Sequence, residues 1–130
     1  MKVYDSDGRL KVSTTGGVSV VDPKSSMTIE SPTASEDVTF FYAKDAITLT
    51  QMTAVNTGTT PSVTWTVRHD PDRNATGTEV VTSGTTTTNT TTGDHVTTLN
   101  SANIPAGSFI WLETSATSGT VDTFNVTLFY

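Results

Sequence analysis

The segment Val63-Thr64-Trp65-Thr66-Val67-Arg68 constrains the fold more than any other part of the chain. Its apolar residues recur at every second position, the period of a half-buried strand, and the spacing of an amphipathic helix is absent. The same period returns at Phe124, Val126, Leu128 and Tyr130. Composition extends the point to the whole chain. Thr occurs 30 times and Val 14 times in 130 residues, against five Leu and eight Ala. β-Branched side chains lose rotamer freedom in a helix but pack well on a pleated surface, so this balance rules against a helical bundle and disfavours an α/β fold.

Further strands follow from alternation and from the turn residues between them. They are expected at residues 27–31, 37–43, 46–56, 62–69, 79–83, 95–99, 108–116 and 123–130. In 46–56, Ile47, Leu49, Gln51, Thr53 and Val55 share one face. Phe109, Ile110, Trp111 and Leu112 are apolar on both faces, which marks a central strand. About eight strands with a turn every ten residues or so predict an all-β, antiparallel β-sandwich of jelly-roll-like type. Its expected core is Ile29, Phe40, Ile47, Leu49, Val55, Val63, Trp65, Val67, Val80, Leu99, Ile110, Leu112, Phe124, Val126 and Leu128. The threonine run at 85–92 reads as an exposed strand or extended loop, since Thr favours strands and Thr–Thr pairs across strands are stabilising.

Residues 1–24 have a different texture. Val3-Tyr4 and Leu10-Lys11-Val12 flank Asp5-Ser6-Asp7-Gly8-Arg9, which suggests a small hairpin, and Thr14-Thr15-Gly16-Gly17 reads as a link. The chain therefore divides into an N-terminal arm with its linker (1–24) and one sandwich domain (25–130).

Several functions are disfavoured. With no cysteine, neither a disulfide framework nor a Cys-based metal site can form. Seven basic residues against thirteen acidic ones, with no basic cluster, argue against a nucleic-acid partner. No apolar run reaches the roughly 18 residues of a membrane span, and no secretory leader is recognisable. Neither a metal nor another cofactor is expected. His69-Asp70-Pro71-Asp72-Arg73 is the densest polar cluster, read as a turn in which Asp70 and Asp72 bond the backbone and pair with Arg68 or Arg73. His69 and His95 among many serines make no nucleophile motif, so no catalytic residue is assigned. Glu113 stands alone as a strand carboxylate and is expected on an exposed outer face. Trp65 and Trp111 are expected in the core, with a sugar-stacking platform as the alternative.

One resemblance adds to this reading. It is carried by Pro61 through His69, by Asp72-Arg73-Asn74-Ala75-Thr76-Gly77-Thr78-Glu79-Val80-Val81, by Ile104 through Thr114, and by Thr117-Ser118-Gly119-Thr120-Val121-Asp122. These stretches resemble small Thr-rich β-sandwich virion structural proteins of tailed bacteriophages, of capsid decoration, cement or fibre type. The resemblance implies a non-enzymatic protein on the outer surface of a capsid. It further implies a homotrimer that binds the major capsid protein and stabilises the shell. Under it, the arm would contact the capsid through Val3, Tyr4, Leu10, Val12, Val18, Val20 and Val21. Phe41 and Phe129, which alternation places opposite the core, would contact other copies. The alternative is a tail, baseplate or head-fibre component that binds host glycans.

Overall fold

The computed structural model describes residues 23–130, together with the backbone of Val3–Tyr4 and Leu10–Lys11. All described regular structure is strand, and every pairing is antiparallel. The strands are β1 (Val3–Tyr4), β2 (Leu10–Lys11), β3 (Lys24–Glu30), β4 (Asp37–Ala43), β5 (Ile47–Thr48), β6 (Gln51–Asp70), β7 (Thr78–Glu79), β8 (Thr85–Thr87), β9 (Asp94–Val96), β10 (Asn103–Ile104) and β11 (Ser108–Phe129). The first two pair Val3 with Lys11 and Tyr4 with Leu10, as a hairpin does. Nothing further is described for the expected arm side chains: Val12, Val18, Val20 and Val21 lie outside the described residues, and Val3, Tyr4 and Leu10 are described only as backbone.

Two strands form the spine. β6 has 20 residues and β11 has 22, and they pair along almost their whole length, from Phe109–Asp70 to Phe129–Gln51. On the far side of β11, β4 pairs with its first half and β3 with its second. Along the far side of β6, β9, β8 and β7 follow one another. The turn expected at 57–61, and the gap left between the strands expected at 108–116 and 123–130, are therefore bends inside continuous strands. Pairing across the bend keeps the ladder intact where isolated strands would have needed loops.

That bend makes the sandwich. Phe124 pairs with Asn56, nine residues from Trp65 along β6. A straight strand would separate them by about 30 Å. Their ring centroids are instead 5.9 Å apart, so the double spine folds back and lays one half-sheet on the other. Register shifts between Ser118 and Thr120 and between Val121 and Thr123 mark the fold line. Extra residues in one strand of a pair bend it and raise its twist. Gly58 and Gly119 have φ of +133° and +69°, and a Cβ on either would lie 2.0 Å from a backbone oxygen, that of Thr120 or Thr60. Only glycine lets the two backbones cross that closely.

Most of the expected core is buried between the half-sheets, including Leu49, Val63, Trp65, Val67, Val80, Ile110, Leu112, Phe124, Val126 and Leu128. Fully burying a side chain of this kind contributes about 1.5–3 kcal/mol. Ile29, Phe40, Ile47 and Leu99 are half-buried against that core. Val55 is the exception. The expected strand 46–56 breaks at 49–50, where Leu49 N–H donates to Ala102 and Thr50 N–H to Phe129. The break reverses the phase, so Met52, Ala54 and Asn56 point inward and Val55 outward. Phe41 is the other correction. A bulge opposite Ile110 and Trp111 lets Phe40 and Phe41 both pack on the core, and Phe41 stacks 5.6 Å from Tyr130. Phe129 is half-buried on the opposite face, as its alternation predicts.

Candidate functional site

The sandwich presents two outer faces of different chemistry. On the half-sheet built from β4, the start of β11, the end of β6 and β7, cross-strand register sets Trp111 beside Arg68 and Arg68 beside Glu79. Arg68 donates from Nε to Glu113 at 3.0 Å and from Nη2 to Glu79 at 3.0 Å. The other Glu113 oxygen accepts from Trp111 Nε1 at 2.8 Å. Arg73, from the 71–77 loop, lies 4.5 Å from the Trp111 ring centroid, and its guanidinium pairs with Asp37 and donates to Thr39. Gly77 closes the other side: a Cβ there would lie 2.4 Å from the indole. Trp111 is thereby fully buried on the face away from the main core.

This arrangement confirms one part of the 69–73 reading and corrects another. Asp70 and Asp72 do bond the backbone, accepting from the N–H groups of Asp72 and Asn74. The arginines, however, pair with Glu79, Glu113 and Asp37 rather than with the loop aspartates. Those partners come from other strands and have no local spacing. Glu113 is on the outer face as expected, but engaged by two side chains and only part exposed. Glu79 and Glu113 are thus bridged by one guanidinium, each through a charge-assisted hydrogen bond.

His69 is buried, and its Nε2 lies 3.2 Å from Ser101 Oγ, while Nδ1 has no partner. Burial holds its pKa below the ordinary 6.5, against an upward pull from Asp70. A serine–imidazole pair is thus present, without a carboxylate orienting Nδ1 as a triad requires. At the edge of the sandwich, Glu36 accepts from the Thr33 N–H and hydroxyl, which lowers its pKa. Among the described residues no group of three or more His, Asp or Glu side chains is placed to hold a metal ion.

The second outer face, on β3, the end of β11, the start of β6 and β9, is a sheet of hydroxyls and amides. Asn125 at its centre donates to Ser26, Thr28 and the Met27 carbonyl. Thr127 donates to Ser26, Thr57 and Thr123 share a 2.7 Å bond, and Thr53 bonds Gln51 and His95. Sequence reading placed many threonines outside but did not anticipate this lattice, because its members meet only across strands. The inner threonine is equally informative. Thr87, from the 85–92 run, is fully buried and accepts from Trp65 Nε1 at 3.0 Å, so the run is a strand at its start rather than an exposed surface throughout.

Both tryptophans are fully buried and neither forms a stacking platform: Trp65 lies in the core as expected, whereas Trp111 is buried on the outer face. Among the described residues, the aromatic that faces solvent is Tyr42, 52% exposed and 4.9 Å from the Phe109 ring. The β4 bulge, invisible to simple alternation, is what turns it outward. No family model, curated protein or solved structure matches the chain.

Proposed function

We propose that the protein is a non-enzymatic structural component of a bacteriophage particle, a capsid decoration or cement protein that acts as a homotrimer on the major capsid protein. The observation that carries this reading is the hydroxyl–amide face around Asn125. Its side chains hold one another in place, so docking a protein surface there freezes few rotamers and strips water from few charges. The resemblance of the Thr-rich sandwich to virion proteins supports the same reading, and the segment 1–24 supplies the capsid-binding arm. In purified particles of the encoding phage, quantitative mass spectrometry is expected to find the chain in near-constant ratio to the major capsid protein. Its absence from particles would overturn the reading.

Exposed Tyr42, packed against the half-buried Phe109, favours a second reading, a tail, baseplate or head-fibre component that stacks host sugars on Tyr42. It predicts a copy number that follows the tail proteins, and glycan-array binding abolished by Tyr42→Ala. Trp111, sealed under Arg73, is not available for that role.

A further inference from the structure

The edge of the hydroxyl face carries a self-complementary strand. β3 pairs with β11 in a register running from Glu30–Thr123 to Lys24–Phe129. The Ser31 N–H donates to Asp122 and the Tyr130 N–H to Pro23, at 2.8 and 2.9 Å. In an antiparallel ladder main-chain groups alternate in direction, so the odd-numbered residues of β3 bond β11. Lys24, Ser26, Thr28 and Glu30 turn their N–H and C=O groups away from it, and among the described residues no strand takes them up. The side chains of the same four residues are exposed.

From this we infer that β3 pairs antiparallel with β3 of a second copy across a two-fold axis at Met27. In that register Lys24 faces Glu30 of the second copy and Ser26 faces its Thr28, each contact occurring twice by symmetry. The outward main-chain groups meet as the hydrogen-bonded pairs of a continuous ladder, and the half-buried Met27 and Ile29 gain cover at the seam. Lys24 and Glu30 make no ion pair among the described residues, so both charges are free for this contact. Charge order selects the two-fold register: a slip by two residues would leave both charges unmatched. The contact differs from a three-fold one, and on a particle it would join copies of neighbouring trimers. It is a property of the chain itself and stands whether or not the virion reading holds.

The test is sedimentation velocity over a concentration series, on the full chain and on three variants. The parent chain is expected to show a reversible doubling of mass. Lys24→Glu and Glu30→Lys each place like charges opposite one another at two sites, and each is expected to weaken the doubling by about tenfold. The double variant K24E/E30K restores complementarity and is expected to restore association. All four positions of the contact are exposed, and circular dichroism checks that the fold is kept. Amide exchange at Ser26 and Thr28 supplies the second readout, with protection that rises with concentration. No doubling in the parent chain, single variants that associate like the parent, or protection independent of concentration would each overturn the inference. The last result would mean that the chain covers this edge with its own residues.

Discussion

The two tryptophans have the same burial and opposite surroundings. Trp65 lies between the half-sheets, against Phe124, with its N–H on the hydroxyl of Thr87. Trp111 lies on the outer face, under a guanidinium, with its N–H on the carboxylate of Glu113. One is buried by folding the sheet over and the other by laying a loop on top. Burial of the first is a property of the whole domain. Burial of the second depends on a loop closed by Arg73, Asp37 and a glycine, so it responds to salt and to local substitutions.

Trp65→Ala should produce the largest effect, about 3–5 kcal/mol in denaturant unfolding, with loss of the folded state as its extreme form. Gly77→Ala comes next. Its Cβ meets the Trp111 indole and its φ of +75° disfavours a side chain, so a loss of about 1–3 kcal/mol is expected. Trp111 fluorescence in that variant should become more accessible to acrylamide while Trp65 stays protected. Thr87→Val keeps the shape of the site but leaves the Trp65 N–H buried without an acceptor, at a cost of about 1–3 kcal/mol by thermal unfolding. Arg73→Gln should cost about 0.5–1 kcal/mol at low salt, and the difference from the parent should shrink as salt is added.

The smallest expected effect is one of pH. Burial depresses the folded pKa of His69 below 6.5, so the fold prefers the neutral imidazole. The contribution is fully present above pH 6.5 and is lost as pH falls from there towards the folded value. Urea midpoints measured between pH 7.5 and 5 should fall for the parent chain. His69→Gln should flatten that part of the profile, leaving the decline at lower pH to carboxylates such as Glu36, whose folded pKa is also depressed.

Alternation made much of this fold legible. It identified β4 with its bounds, the inward face of β6 around Trp65, and the central position of β11 with apolar residues on both faces. It failed where the phase changes without a sequence signal. The break at Leu49–Thr50 inverted the face of Val55, and the bulge at Phe40 brought Phe41 inward and turned Tyr42 outward. Gly58 sits where the alternation of 46–56 ends, and Gly119 lies in the gap between the strands expected at 108–116 and 123–130. Here they let two strands bend together, which requires a partner that no single segment reveals. For the outer faces, residue types were visible but partners were not. Arg68 meets Glu113 and Asn125 meets Ser26 only through a register set by the complete sheet.

The central structural claim is that one continuous double strand folds over at Gly58 and Gly119 to bury Trp65 against Phe124. An aromatic-selective nuclear Overhauser spectrum tests it directly. The folded sheet predicts strong cross-peaks between the Trp65 indole and the Phe124 ring, with Trp111 showing contacts to Arg73 and none to Phe124. Absence of the Trp65–Phe124 cross-peaks in the folded protein would contradict it, because an unfolded-over spine keeps those rings about 30 Å apart.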